Sequence, residues 1–183
     1  MFVWTRKFDT GIGQIDEQHQ NLVDILNRVY TAIEDEDVRA DSLDQLLQEL
    51  VDYSHYHFRE EEGLMTRAGV IEKHAHLHRM EHRAFIYDVE RLRSKRATTV
   101  DLDHLAQQIT AFVTNWLAMH ILGIDQSLAR QIRDLENGLS PTEAYRRHGE
   151  YTYDRNVTHD IVQTLLTMWR DAEDRLLEER EHD

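Results

Sequence analysis

Apolar residues recur at intervals of three and four along most of the chain, which is the pattern of amphipathic helices. It predicts a first helix over about residues 16–36, whose apolar stripe is Leu22, Ile25, Leu26, Val29 and Ile33. A second helix is predicted from a capping box at Ser42 and Gln45 through Met65, with Gly69 after its end. A third is predicted over about residues 71–92, and a fourth over about 101–138. Because strand-like alternation is absent and the connections are short, we predict an all-α, up-down-up-down four-helix bundle over residues 1–137.

The pattern changes after Gly138. Ser140, Pro141 and Glu143 have the spacing of a helix start with a capping residue, a first-turn proline and a capping-box glutamate, and the short helix should end near Gly149. Residues 150–156 are predicted as a loop and residues 157–181 as a last helix. Its apolar residues have coiled-coil spacing: Val162, Leu165, Trp169, Ala172 and Leu176. We therefore predict a helical extension over residues 138–183, whose last helix either packs on the bundle or forms a homodimer.

Composition narrows the classes of function. The chain has 183 residues and no cysteine, so disulfides, thiolate metal sites and cysteine nucleophiles are excluded. A formal net charge of −14 argues against binding to nucleic acid or to an anionic membrane. No apolar run reaches the ~20 residues that span a bilayer, and the N-terminus does not resemble a secretion signal. We expect a soluble, cytoplasmic protein. A single proline favours helices, and twelve histidines exceed what a core needs.

Histidines and carboxylates fall in short patterns, one on each predicted helix. At ~100° per residue, two residues four apart point within about 40° of each other, so each pair can reach one point in the bundle core. Taken singly, such residues are more often packing or solvent-facing groups. Together they supply five imidazoles and two carboxylates, which suit two metal ions bridged by the carboxylates. Nitrogen and oxygen donors without sulfur favour iron, ahead of manganese and zinc. The seven residues are His19, His57, Glu61, His78, His82, His120 and Asp125.

The spacing of His120 and Asp125 does not fit a regular helix. Five residues correspond to about 140° around an ideal α-helix, so the two side chains would not face the same point. We predict a π-type bulge near residues 120–125, where Gly123 lowers the local stiffness.

These motifs resemble the hemerythrin family, specifically the bacterial hemerythrins, from residue 4 to about residue 135. The matching residues are Trp4, Gly11 with Ile12, the run from Ile15 to His19, His57-Phe58 with Glu61 and Met65, His82 followed by Phe85, and Trp116-Leu117 before His120 with Asp125. The resemblance implies a four-helix bundle that carries a non-haem di-iron centre and binds dioxygen. It further implies that His78, His82 and His120 bind one iron, and that His19 and His57 bind the other, which keeps an open position for dioxygen. Glu61 and Asp125 would bridge the two ions, alongside a solvent-derived oxo or hydroxo bridge.

One stretch departs from the family pattern. Between Gly69 and the histidine pair of the third helix, the chain is two residues longer than is typical and lacks the usual Tyr-Pro. His74 and His78 form a pair with the same spacing as His78 and His82. We favour His82 because Phe85 follows it by three residues, and His74 is the alternative. The remaining histidines are interpreted as surface or packing residues: His55, His76, His104, His148, His159 and His182.

An apolar pocket around the open iron would exclude water. The candidates lie close to ligands in the sequence or one helical turn away: Leu22, Val23, Phe58, Trp116 and Ile124. All five would belong to a bundle core in any case.

The donor set favours binding over catalysis, because oxygenases with a di-iron centre in a bundle rely on more carboxylates and fewer histidines. We therefore expect no enzymatic activity. Residues 138–149 resemble the segment that follows the hemerythrin domain in bacterial hemerythrin–diguanylate cyclase proteins, which make cyclic di-GMP. This favours an oxygen or redox sensor domain in signal transduction, with an output domain beyond the chain. A free-standing oxygen carrier is the alternative, and an enzyme acting on peroxide or nitric oxide ranks third.

Overall fold

The computed structural model describes residues 1–35, 38–95 and 101–149 of the chain. A 3₁₀ turn, Arg6–Phe8, is followed by four long helices. Helix α1 is Gly13–Glu34, α2 is Ala40–Ala68, α3 is Glu72–Lys95 and α4 is Leu102–His120. Helix α4 continues through a π-helical segment, Ile121–Asp125, into α5, Gln126–Glu136, and α6 is Pro141–His148.

The four long helices form a closed ring of neighbours. Each packs on the next in sequence, and α4 packs back on α1. This arrangement buries all four apolar stripes with short connections, so the predicted up-down-up-down bundle is confirmed. The main core joins all four helices through fully buried side chains, among them Leu22, Leu26, Leu47, Phe85 and Leu117. A second, smaller apolar cluster joins α2, α3 and α5 through Met65, Ala75, Leu128 and Ile132.

Helix α1 begins three residues earlier than predicted, at Gly13. The reason is a contact between the first turn and the preceding loop. The Asp16 carboxylate accepts hydrogen bonds from the Thr10 backbone N–H at 2.7 Å, the Thr10 hydroxyl at 2.7 Å and the Gly11 N–H at 3.0 Å. Gly11 has a φ of +82°, which a residue with a side chain rarely adopts.

The capping box predicted at Ser42 is wrong. Helix α2 begins at Ala40 after Arg39, which makes no side-chain cap. The Leu43 N–H donates to the Arg39 carbonyl at 2.9 Å, so Ser42 already lies inside the first turn. This extra turn brings Leu43 into the core, where it is buried. The predicted end is confirmed, since Gly69 follows the helix with a φ of +72° and the Val70 N–H donates to the Met65 carbonyl at 3.0 Å.

The short helix predicted after Gly138 is confirmed as α6. The Ser140 hydroxyl accepts from the Glu143 N–H at 3.3 Å, and Pro141 opens the helix. Helix α6 packs on α5 through the fully buried Ala144 and through a hydrogen bond from the Ser127 hydroxyl to the His148 carbonyl. The loop predicted over residues 150–156 and the helix predicted over 157–181 lie outside the described residues. Among the helices of the described ranges, none is long and apolar enough to span a membrane.

Candidate metal centre

The structure brings all seven predicted donors together in the bundle interior. Helix α1 contributes one, α2 and α3 two each, and α4 with the π segment the last two. None is more than 3 % exposed, and they are His19, His57, Glu61, His78, His82, His120 and Asp125.

Three imidazoles converge on one side of this cluster. The Nε2 atoms of His78 and His82 both lie 3.2 Å from Nε2 of His120. Imidazole nitrogens bound to one ion at ~2.1 Å and at right angles would be separated by about 3 Å. The Glu61 Oε2 atom lies 3.2 Å from His82 Nε2 and 3.5 Å from His78 Nε2. These four groups therefore have the separations that a single metal ion requires, and we call them the three-histidine side.

His19 and His57 form the other side with Glu61. Glu61 Oε1 lies 3.9 Å from His19 Nε2, and Glu61 Oε2 lies 3.6 Å from His57 Nε2. Asp125 also faces both sides. Its Oδ1 is 3.1 Å from His78 Nε2, whereas its Oδ2 is 3.2 Å from His19 Nε2. Both carboxylates are thus shared between the three-histidine side and the pair His19 and His57, which we call the two-histidine side.

The predicted π bulge is confirmed, and it accounts for the position of Asp125. The segment Ile121–Asp125 is π-helical between two α-helices. The wider turn brings Asp125 Oδ1 to 3.3 Å from His120 Nε2, although the residues are five apart.

Three of the five imidazoles have a hydrogen-bond acceptor on the ring nitrogen that faces away from the cluster. His57 Nδ1 lies 2.9 Å from Gln18 Oε1, His82 Nδ1 lies 3.2 Å from Glu62 Oε1, and His120 Nδ1 lies 2.9 Å from Glu81 Oε2. An imidazole that donates from Nδ1 keeps an unprotonated Nε2, which is the tautomer that binds a metal. The sequence carries no signal that identifies these three partners. Each is next to a candidate ligand in the chain, but ordinary polar helix residues occupy such positions too.

The two carboxylates are buried without aligned hydrogen bonds. Within the described residues, neither oxygen of Glu61 or of Asp125 has a hydrogen-bond partner, despite the close imidazole nitrogens. Burying a carboxylate costs several kcal/mol or more unless an opposite charge compensates it. A cluster of imidazole and carboxylate donors that share one interior point fits divalent cations.

The ionisable groups respond strongly to this burial. Burial lowers the pKa of His78, but contact with Asp125 and Glu61 outweighs it and raises the pKa to about 10. Burial would raise the pKa of Asp125, yet the neighbouring imidazoles hold it below its ordinary range. Burial lowers the pKa of His57 to about 3. Without metal, the carboxylates therefore share the cluster with a protonated His78.

The structure places His82, and not His74, with the other six donors. His74 is also buried, but its Nδ1 accepts a hydrogen bond from Gln131 Nε2 at 3.0 Å. Its ring centroid lies 5.7 Å from that of His78. Among the other histidines, His55, His76 and His104 are exposed and His148 is partly buried, whereas His159 and His182 lie outside the described residues.

The predicted pocket residues divide into two groups. Leu22, Val23 and Ile124 are buried side chains of the bundle. Phe58 stacks on His82 with ring centroids 3.9 Å apart, and Trp116 stacks on His120 at 4.1 Å. These two aromatic rings thus cover imidazoles of the three-histidine side. That the five residues line an oxygen pocket stays a prediction.

Comparisons with known proteins agree with this geometry. Residues 10–132 match the family described as the Hemerythrin HHE cation binding domain. A bacteriohemerythrin of Clostridium acetobutylicum is 34 % identical over 128 residues, which cover 69 % of this chain and 97 % of that protein. A bacteriohemerythrin of Pseudomonas aeruginosa is 30 % identical over 131 residues, covering 72 % of this chain and 81 % of the relative. A bacteriohemerythrin of Methylococcus capsulatus is 28 % identical over 128 residues, which cover 69 % of this chain and 92 % of that protein. Residues 133–183 lie beyond the family match.

Proposed function

This chain belongs to the hemerythrin HHE cation-binding family, and on that basis we propose that it binds two iron ions and, through them, dioxygen. The observation that carries the proposal is the sharing of Glu61 and Asp125 between two groups of imidazoles. His78, His82 and His120 would hold one iron, and His19 and His57 the other. The relatives named above are bacteriohemerythrins, and the donor set of nitrogen and oxygen without sulfur suits iron.

The iron pair would supply the redox-active binding of dioxygen, and the protein would supply orientation and a dry surrounding. The rings on the two-histidine side are almost fully buried, as are Leu22, Val23 and Ile124 nearby in the sequence. We propose that these apolar side chains exclude water from the open position of the iron held by His19 and His57, and that Phe58 and Trp116 complete the lining of this pocket. Five neutral imidazoles against two carboxylates favour reversible binding over substrate oxidation, so we propose a binding protein and not an enzyme.

Iron analysis and visible spectroscopy test this proposal. We expect two iron atoms per chain, and an absorption band that appears when the anaerobically reduced protein meets air and disappears again on degassing. A chain that holds fewer than two irons would refute the di-iron site. Full iron without a reversible band would refute dioxygen binding, and steady consumption of oxygen, peroxide or nitric oxide would favour an enzyme.

We propose further that the binding is sensed and not only stored. Residues 138–183 would be a separate extension of the bundle, residues 1–137, and α6 contacts the bundle at α5 and, through Tyr145, at His74 of α3. A line of buried polar groups leads from α3 to α6. Gln131 Nε2 donates to His74 Nδ1 and, at 3.2 Å, to the Ser127 hydroxyl, which in turn donates to the His148 carbonyl. His74 lies one helical turn from His78, and the His148 carbonyl lies at the end of α6.

Such a line supports a sensor, because a carrier has no need for buried polar contacts between an appended helix and the helix that bears His78 and His82. We expect hydrogen–deuterium exchange over residues 138–149 to differ between the reduced and the oxygenated protein. The Gln131→Leu variant should lose this difference while keeping its iron, and Gln108→Leu on the exposed face of α4 is the matched control. Exchange that is the same in both states would favour the carrier. We propose that a sensor would also form a homodimer through residues 157–181, and sedimentation of both states tests this.

A further inference from the structure

The two sides of the candidate metal centre differ in the charge of the groups behind their imidazoles. On the three-histidine side, His82 and His120 face carboxylates through Nδ1, namely Glu62 and Glu81. On the two-histidine side, His57 faces the neutral amide of Gln18. One imidazole on each side, His19 and His78, has no hydrogen-bond partner at Nδ1 within the described residues. The asymmetry is therefore one of charge as well as of ligand number.

A carboxylate behind an imidazole does two things that an amide does not. It accepts the Nδ1 proton in a charge-assisted hydrogen bond, which holds the ring more firmly. It also makes the imidazole more basic, so that Nε2 becomes a stronger donor to a metal. An amide oxygen accepts the same proton and orients the ring, but it adds no charge.

The sequence around Glu81 does not predict the contact of its carboxylate with the imidazole of His120. Glu81 and Glu62 are about one-third exposed, at 35 % and 37 % of the side chain, so solvent reaches one edge of each. Each nevertheless turns a carboxylate oxygen toward an imidazole that is at most 3 % exposed. The contact of Glu81 spans two helices, from α3 to the end of α4, at 2.9 Å.

We propose that Glu81 and Glu62 are positioning residues that make the three-histidine side the tighter of the two metal positions and the one more stabilised in the oxidised state. The inference rests on the proposed di-metal site, and it assigns the inequality of the two positions to two residues that are not themselves ligands. Outer carboxylates of this kind contribute about 10- to 100-fold to metal affinity.

Cobalt(II) titration of the full-length, metal-free chain tests the proposal without depending on oxygen. We expect two binding steps in the wild type. Glu81→Gln should weaken the first step about 10-fold and leave the second unchanged, because glutamine keeps the hydrogen bond and removes only the charge. Glu81→Ala should weaken the first step further. Glu90→Gln is the matched control, since Glu90 is an exposed carboxylate of the same helix that pairs with Arg93.

The reverse substitution gives a second, independent test. In Gln18→Glu, a carboxylate would accept from His57 Nδ1 and from the Tyr56 hydroxyl, which lies 3.3 Å from Gln18 Nε2. We expect the second cobalt step to strengthen. In the iron form, Glu81→Gln should raise the midpoint potential, because one negative charge near the oxidised ion is lost.

The outcomes distinguish a failure of the proposed di-metal site from a failure of the positioning role alone. A wild type that binds fewer than two cobalt ions would overturn the proposed di-metal site itself. A wild type that binds two, with Glu81→Gln unchanged in both cobalt affinity and iron potential relative to Glu90→Gln, would overturn the positioning role alone. Circular dichroism of each variant identifies any loss of fold, and the gain expected from Gln18→Glu does not depend on the Glu81 variants folding.

Discussion

Replacing His82 or His74 by glutamine distinguishes two histidines that lie on the same face of α3. His82 Nε2 lies 3.2 Å from both Glu61 Oε2 and His120 Nε2. His74 instead accepts a hydrogen bond from Gln131. We therefore expect His82→Gln to lose metal from the three-histidine side, and His74→Gln to retain two ions per chain.

The magnitudes follow from these contacts. Loss of an outer partner costs about 10- to 100-fold in metal affinity, so loss of an imidazole donor should cost more than about 100-fold. The His74 substitution disturbs a hydrogen bond in a site that is 1 % exposed, which costs about 1–3 kcal/mol of folding free energy. At about 2–4 °C per kcal/mol for a chain of this length, the metal-free protein should melt roughly 2–12 °C lower.

Two measurements on the same variants separate affinity from stability. Competition with a chelator gives the metal affinity, and thermal unfolding of the metal-free protein by circular dichroism gives the stability. His76→Gln, an exposed residue of the same helix, is the matched control and should change neither. Loss of metal in His74→Gln, together with wild-type affinity for both ions in His82→Gln, would show that His74 and not His82 is the donor.

Three further predictions concern the helix ends and the charge of the site. Gly69→Ala should lower the free energy of unfolding by about 1–2 kcal/mol, because the backbone φ of +72° disfavours a side chain, although a Cβ there would meet nothing within 4 Å. An unchanged midpoint of urea unfolding would contradict this. Asp16→Ala should lower the free energy of unfolding by about 2 kcal/mol, because it removes the acceptor of three hydrogen bonds from residues 10–11. Asp16→Asn should have an intermediate effect, and urea unfolding measures both variants. Below its pKa of about 10, His78 holds a proton that competes with metal, so zinc affinity should rise about 10-fold per pH unit from pH 7 toward 9. Calorimetry in two buffers counts the proton that is released on binding. A zinc affinity that does not change with pH would refute the protonated state of His78.

The fold follows from interactions that are local in the sequence. Apolar residues at helical spacing predict four amphipathic helices, and short connections leave few ways to bury their stripes. The helix ends at Gly69 and Ser140 were predicted because a left-handed backbone and a capping hydroxyl act within a few residues. The π segment was also predicted, since the separation of His120 from Asp125 along the chain is itself a local quantity.

The start of α2 shows where local signals fail. Ser42 and Gln45 have capping-box spacing, but the helix begins earlier, at Ala40. Leu43 and Leu47 then lie in the core, so burial against other helices outweighs a cap that contributes about 1 kcal/mol.

Helical periodicity could not distinguish the histidines of α3 or identify the groups that support the cluster; the family resemblance favoured His82, and the packing of the helices places it with the other donors. His74, His78 and His82 are four residues apart on one face, so periodicity ranks them equally. The choice depends on how far α3 is shifted along its axis relative to Glu61 on α2, which is set by side-chain packing between helices. The same holds for Gln18, Glu62 and Glu81, whose imidazole partners lie 20 to 39 residues away in the sequence. The sequence alone therefore determined the helices and the types of donor that they carry. The axial register of the packed helices determined which donors meet and which charges lie behind them.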